Sequence, residues 1–410
     1  MAVNLWQGGF TNAYARMKNS CYHSTNTTPV YALYGDLIYE SRAKNAEIKP
    51  ADKEAVDRWL DNHKALCTYL QADSAAPRRN LVVIICESLE SWPIGKVVEG
   101  HELTPALNAL VTDSSTLFVP NVVTQVGSGR SIDFQLLFNA GMLPMENDVY
   151  SMTYPQSRYY TLNQAMSEKH GARSIIMTCD KPITWNQAVI AESFGIDTLL
   201  DKSSWRNDEL VGNPPKLSDG SFLRQVAERL GDDDLWPAGK PCFLQIVTYS
   251  GHSPFRLPKQ LKEFEFSAEI PEKLADYMTM ANYTDRALGE FVSALKQRPD
   301  FKETVVVITG DHEGLADRRA ELRENPVGRN LVDAQQLTPL IILNLPPTIS
   351  GRYDSVIGQI DIYPTLLDIM GLDDFRWRGM GESLFRPGRT NAAIVTMTGV
   401  VVGDTSTVSA

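Results

Sequence analysis

Runs of about eighteen apolar residues, the length a membrane helix requires, are absent from this 410-residue sequence. Its first ten residues also lack the charged-then-apolar order of a signal peptide. Read alone, the sequence is that of a soluble protein. Cysteine is scarce: Cys21, Cys67, Cys86, Cys179 and Cys242 form no CxxC spacing, and an odd number cannot pair completely, which argues against a disulfide framework. Positive charge is also in deficit. Lys and Arg total 39 against 50 Asp and Glu, a net charge of -11, so non-specific attraction to nucleic acid is disfavoured and phosphate binding must be local. Internal repeats and low-complexity tracts are missing too. What remains is a 43% hydrophobic chain with 15 Tyr, 14 Phe and 7 Trp, the composition of a globular protein with a large core. Asn-x-Thr triplets at Asn26 and Asn282 match the glycan acceptor pattern, but triplets of this kind arise often by chance.

Residues 1–78 read as a helical leader: Thr28-Pro29 opens an apolar-periodic run from Val30 to Tyr39, and a helix is predicted from Pro50 to about Leu70. The stretch Asp73 to Arg79 breaks that pattern as a linker. A domain is predicted from residue 79 to 410, with a small C-terminal α+β portion from about 335. Within it Leu81–Cys86, Ser174–Thr178, Phe243–Thr248 and Thr304–Thr309 are continuous apolar, β-branched runs, and Leu340–Leu343 is a further one. Helical patterns alternate with them, at Thr104-Pro105 onwards, Phe134–Ala140, Pro271–Leu295 and Ile362–Met370. This alternation predicts an α/β fold with a mostly parallel central sheet and helices on both faces. Ligands then gather beyond the carboxyl ends of the strands.

Applied here, that rule collects chemistry. The strands end at Cys86-Glu87-Ser88, at Tyr249-Ser250-Gly251-His252 and at Gly310-Asp311-His312. Glu, Asp and His form a mixed O/N ligand set that suits zinc or manganese better than magnesium. Any one of them alone is more simply a turn or cap residue, and only their joint placement points to a metal. Gly127-Ser128-Gly129-Arg130-Ser131 adds a small-residue turn opening a helix, where a hydroxyl can meet a phosphate at the helix N-terminus. Ser131 is the better nucleophile candidate and Ser128 the competitor. The plainer reading is that Ser131 caps the helix, with Asp133 as a first-turn acid.

These segments, together with Gly251-His252-Ser253-Pro254-Phe255, Gly310-Asp311-His312-Glu313-Gly314 and Gln359 to Leu367, occur in an order that resembles lipoteichoic acid synthases. Those enzymes and the related phosphoglycerol transferases lie in the alkaline phosphatase/sulfatase superfamily, and the resemblance covers about residues 80 to 390. It implies a three-layer sandwich in which Glu87, Asp311, His312 and the Ser131 oxygen hold one divalent ion, Mn2+ or Zn2+. It further implies that His252 contacts the substrate phosphate or protonates the leaving group, and that Trp185-Asn186 lines a glycerol-phosphate pocket. Gln187 stands where the family has arginine. Arg130 would stabilise charge on the equatorial oxygens during attack by Ser131. A phospholipid head group is the implied donor and an envelope glycan or polymer the acceptor, with a phospho-serine intermediate. The family's catalytic domain faces outside the cytoplasm behind membrane helices, so this chain is expected to be an ectodomain whose membrane anchor precedes Met1.

Rival readings stay open. Phosphoethanolamine transferases and phosphodiesterases share the ligand set. Sulfatases need Cys-x-Pro-x-Arg or its serine form, which is missing, and the two-zinc alkaline phosphatases need a late histidine, while none follows His312. An inactive module that binds an anionic ligand is the non-enzyme alternative.

Overall fold

A computed structural model describes residues 48–67, 79–145, 148–232, 235–237 and 239–409. The apolar run Val30–Tyr39, Asn26 and the linker at 73–78 lie outside the described residues. Seven strands build the main sheet: β1 (Asn80–Cys86), β2 (Leu117–Val123), β3 (Arg173–Thr178), β4 (Thr198–Leu200), β5 (Cys242–Val247), β6 (Thr304–Gly310) and β7 (Leu337–Leu343). They run in the order β2-β7-β6-β1-β5-β3-β4, with short strands Gly351–Arg352 and Ile357–Gly358 completing it alongside β2. β6, β1, β5, β3 and β4 are mutually parallel; β7 is antiparallel to β6 and to β2.

β1 sits at the centre with every residue buried, the environment its continuous β-branched run requires. Alternate side chains serve opposite faces. Leu81, Val83 and Ile85 pack under α3 (Ser131–Ala140), α4 (Leu162–His170) and α8 (Ile362–Ile369), through Phe134, Phe138, Met166 and Leu366. Val82, Ile84 and Cys86 pack under α2 (Pro105–Val111), α6 (Asp219–Arg229) and α7 (Glu272–Leu295), through Leu107, Phe222 and Phe291. The three-layer α/β sandwich follows directly. Burial of each such aliphatic side chain contributes roughly 1.5–3 kcal/mol.

β2 was not legible as a strand because Pro120 interrupts it and lacks a ladder donor. The pairing explains how it is tolerated. Thr338 faces Val122 and Leu340 faces Val119, so Pro339 alone opposes Pro120 and Asn121. Both prolines therefore lie in one β-bulge, where the ladder is locally interrupted and a missing donor costs least. Beyond β7 the two short strands join β2 and α8 packs on the main sheet, while β8 (Ala392–Val395), β9 (Val400–Gly403) and β10 (Thr407–Ser409) form a separate antiparallel sheet against Val123. The helix expected from Pro50 is α1 (Pro50–Cys67), which seats on the domain through an Asp57–Arg378 ion pair and His63 Nε2, 3.0 Å from the Gly381 carbonyl. No helix among the described residues is long and apolar enough to cross a membrane. Asn282 is buried in α7 and donates to the Leu103 carbonyl, which leaves no room for a glycan. Cys86, Cys179 and Cys242 are buried free thiols.

The start of α2 is capped from α7: Asp285 accepts from the Ala106 and Leu107 amides at 2.9 and 2.7 Å. Burial outweighs those two bonds and pushes its carboxyl up to about 6. A raised folded value means that the stability contributed by the neutral acid is complete below the unfolded value near 4 and is lost as pH rises through 6. Wild type should therefore lose up to about 1.4 kcal/mol per pH unit relative to Asp285→Asn between about pH 4 and 6. Urea unfolding of both proteins across that range checks this; parallel pH profiles would contradict it.

Candidate active site

Three adjacent parallel strands, β6, β1 and β5, end at the same edge, and their register places Cys86 beside Gly310 and Ile85 beside Val247. The residues that follow must share one crevice. Glu87 leaves β1 with its amide donating to Thr248 Oγ1 at 3.1 Å, and Ser88 next to it adopts φ 58. That left-handed turn aims the Ser88 amide at Asp311 Oδ1, 2.8 Å away. The His312 amide donates to the same oxygen at 2.8 Å, and the Gln359 amide group holds the Asp311 carbonyl at 2.7 Å. Gly251 is required opposite: a Cβ there would collide with the Glu87 carbonyl.

The Gly127–Ser131 turn brings the hydroxyl. Asp133 Oδ2 accepts from the Gly127 and Gly129 amides at 3.0 and 2.9 Å, and a Cβ on Gly129 would collide with this carboxylate. Burial pushes Asp133 up to about 6 despite those amides. The N-cap of α3 is Arg130, at φ 51 and ψ -116, so Ser131 is the first helical residue and does not serve as the cap. Ser131 Oγ lies 3.1 Å from Glu87 Oε2 and 3.2 Å from His312 Nε2. His312 Nε2 is in turn 3.3 Å from Glu87 Oε1 and 3.5 Å from Asp311 Oδ2. Ser128 is exposed and away from this cluster.

The cluster fits a cation. Glu87, Asp311 and His312 each offer a ligand atom within 4.8 Å of the others. Asp311 is fully buried, yet its Oδ2 has no hydrogen-bond partner among the described residues, an expensive arrangement unless an ion completes it. Burial and then the neighbouring Glu87 charge raise the Asp311 carboxyl, as two acids pressed together demand. His312 Nδ1 lies 3.1 Å from the Glu313 carbonyl and 3.0 Å from Arg130 Nη2; in the tautomer that donates to the carbonyl, the Nε2 lone pair faces the cluster. The donor set of two carboxylates, one imidazole and one hydroxyl suits Zn2+ or Mn2+.

A cavity of about 340 Å³ opens beside these groups, lined by Glu87, Arg130, Ser131, Trp185, His252 and His312 among others. His252 is exposed on its wall, its ring stacked on Tyr249 at 5.3 Å and its Nδ1 2.8 Å from the Ser253 carbonyl. Trp185 is 40% exposed and sits at φ 54, followed by Asn186 at φ 55. Two successive left-handed residues without glycine store strain of the kind found at ligand sites. Asn186 itself faces away from the cavity: its amide donates to the Ser151 carbonyl at 2.9 Å, so it holds the Trp185 turn in place. Gln187 is buried and exchanges hydrogen bonds with Gln135 at the cavity wall. Arg130 is committed to Glu313, 2.6 Å away. Sequence reasoning passed over Asp180, Lys216 and Lys273, which also line the cavity, because no motif marks them; Glu313, quoted within the Gly310–Gly314 segment, lines it too and was given no role.

A three-layer α/β sandwich with an acid, an acid–imidazole doublet and a hydroxyl gathered at the carboxyl ends of parallel strands defines the alkaline phosphatase superfamily class. Within it, the chain belongs to the sulfatase family, whose model matches residues 79–372. It is similar to lipoteichoic acid synthase 1 of Bacillus subtilis, with 25% identity over 362 residues, 87% of this chain and 55% of that protein. The chain thus spans about half the length of the curated relatives it matches. In fold it is similar to the lipoteichoic acid synthase LtaP of Listeria monocytogenes, with a TM-score of 0.73, 18% identity, and 84% and 86% of the two chains covered. The Streptococcus pyogenes phosphoglycerol transferase GacH, solved in complex with sn-glycerol-1-phosphate, gives a TM-score of 0.52 at 17% identity over 77% of this chain and 80% of that one.

Proposed function

We propose that residues 79–410 are the catalytic domain of a metal-dependent phosphoglycerol transferase, carried behind the leader 1–78. The observation that carries this reading is the Ser131 hydroxyl held within 3.2 Å of both Glu87 and His312, beside the unpartnered Asp311 oxygen. Glu87, Asp311, His312 and Ser131 Oγ would hold Zn2+ or Mn2+, which when bound supplies Lewis acidity that lowers the Ser131 pKa and neutralises the two carboxylates.

The chain's own groups account for the rest. Ser131 Oγ, its proton already released to solvent, attacks phosphorus of a phospholipid in line, forming a P–O bond to serine as the bond to the lipid alcohol breaks. His252, exposed on the cavity wall with its Nδ1 proton held by the Ser253 carbonyl, gives a proton carried on Nε2 to the departing alcohol. The first turn of α3 would meet the developing charge on the equatorial oxygens, while Arg130, held by Glu313, adds positive charge beside it. An acceptor hydroxyl from an envelope glycan or polymer then returns a proton to His252 and takes the glycerophosphoryl group, restoring Ser131. The similarity to lipoteichoic acid synthases supports this donor and acceptor, and with them a membrane-tethered protein whose domain faces outside the cytoplasm. Sulfate ester hydrolysis lacks its Cys-x-Pro-x-Arg nucleophile motif here.

Protein loaded with Mn2+ and mixed with phosphatidylglycerol vesicles should release diacylglycerol, and the peptide bearing Ser131 should gain the mass of one glycerophosphoryl group. Neither product appearing would defeat the proposal.

A further inference from the structure

The cavity wall carries three carboxylates, and none is available to a cationic ligand. Glu87 belongs to the metal set. Glu313 is 4% exposed and locked to Arg130 at 2.6 Å. Asp180, which follows β3 by two residues, is paired with Lys216 at 2.5 Å. Lys216 opens the second strand of a two-residue hairpin, Leu210–Val211 with Lys216–Leu217. Its ammonium also lies 4.0 Å from the centre of the Tyr249 ring, and that ring is fixed from two sides. The Tyr249 hydroxyl donates to the Pro214 carbonyl at 3.1 Å, and the opposite contact is the stacked ring of His252. Lys216 is therefore held at one place by a carboxylate and an aromatic face, with only 22% of its side chain exposed. Lys273, the other lysine on the wall, makes no ion pair among the described residues and adds further positive charge.

We propose that Lys216 sets head-group selectivity, an inference that rests on the transferase reading above. An ammonium head group such as ethanolamine or choline entering the cavity meets a carboxylate that is already neutralised and a like charge beside it. A vicinal diol meets a matched pair instead: Asp180 accepts from one hydroxyl and Lys216 donates to the other. The exposed face of Trp185 would favour an ammonium if anything, so discrimination against one must come from elsewhere on the wall. Selectivity for neutral polyol head groups thus lies in the Asp180–Lys216 pair, where the wall lacks the arginine that the resemblance would place at 187.

The test compares titration of sn-glycerol phosphate and of phosphoethanolamine into Mn2+-loaded protein by calorimetry, alongside diacylglycerol release from phosphatidylglycerol and phosphatidylethanolamine vesicles. Lys216→Met should unmask Asp180 and shift both preferences toward ethanolamine by roughly fivefold, the scale of a partly exposed ion pair. Lys216→Arg should retain the wild-type preference, and adding Asp180→Asn to Lys216→Met should erase the shift. An unchanged ratio in a folded Lys216→Met protein that still cleaves phosphatidylglycerol overturns the Lys216 assignment alone, as does a shift that survives Asp180→Asn. Wild-type protein that binds neither compound and cleaves neither lipid overturns both this assignment and the transferase reading.

Discussion

Replacing Ser131 with alanine is expected to lower turnover of a simple phosphodiester, such as bis(p-nitrophenyl) phosphate, by about three to six orders of magnitude. The size follows from what the side chain does. Its Oγ is the one hydroxyl within 3.2 Å of both Glu87 and His312 in the described cluster; the neighbouring Ser88 hydroxyl, 2.7 Å from Glu87 Oε1, makes no such contact with His312. Glu87, Asp311 and His312 remain, so metal stoichiometry measured by elemental analysis should stay near one. That pairing of intact metal content with lost rate separates loss of the nucleophile from collapse of the site. Equal initial rates for the two proteins would remove Ser131 from the chemistry, and Ser128→Ala is the natural control because that residue is exposed outside the cavity wall.

The second large effect concerns stability. Glu90, 1% exposed, accepts from the Gly314 and Leu315 amides, both at 2.8 Å, and from Arg319 at 2.6 Å. Arg319 is itself buried and donates onward to the Asp333 carbonyl. Tyr277 ties the same segment from below, accepting from the Glu90 amide and donating to the Ser88 carbonyl, each at 3.0 Å. Glu90→Ala leaves a buried guanidinium and two amides without their acceptor, which should cost about 3–5 kcal/mol in urea unfolding. The loop so released directly follows His312, so metal affinity should fall as well, by roughly 10–100-fold. Glu90→Gln keeps an acceptor for the amides and should cost less. A Glu90→Ala protein with unaltered unfolding midpoint would mean that the buried pair is energetically idle.

How far the sequence discloses this molecule depends on whether a residue's meaning is local. β1, β3, β5 and β6 announce themselves because strands buried on both faces must be apolar throughout, and the rule about their carboxyl ends then groups Glu87, Asp311 and His312 before any coordinates exist. β2 hid behind Pro120, whose place is explained only by the matching Pro339 across the bulge. α4, α5 (Gln187–Phe194) and α6 are short, and their apolar faces make sense only once the sheet they cover is known. Asp180 and Lys216 are 36 positions apart on unrelated loops, so nothing in either neighbourhood marks the pair. Asn186 shows the reverse case, in which a local pattern points toward the cavity while the folded side chain supports its neighbour from behind.

The paired prolines where β2 meets β7 bear on the placement of the nucleophile. β2 runs straight into the Gly127–Ser131 turn, so the alignment of that strand fixes how far along the sheet the turn is delivered. Sliding by a single residue would move it about 3.3 Å, more than the reach of a hydrogen bond. The bulge that holds both prolines thus acts as an index mark, and the reacting oxygen is positioned by a joint in the middle of the strand that leads to it.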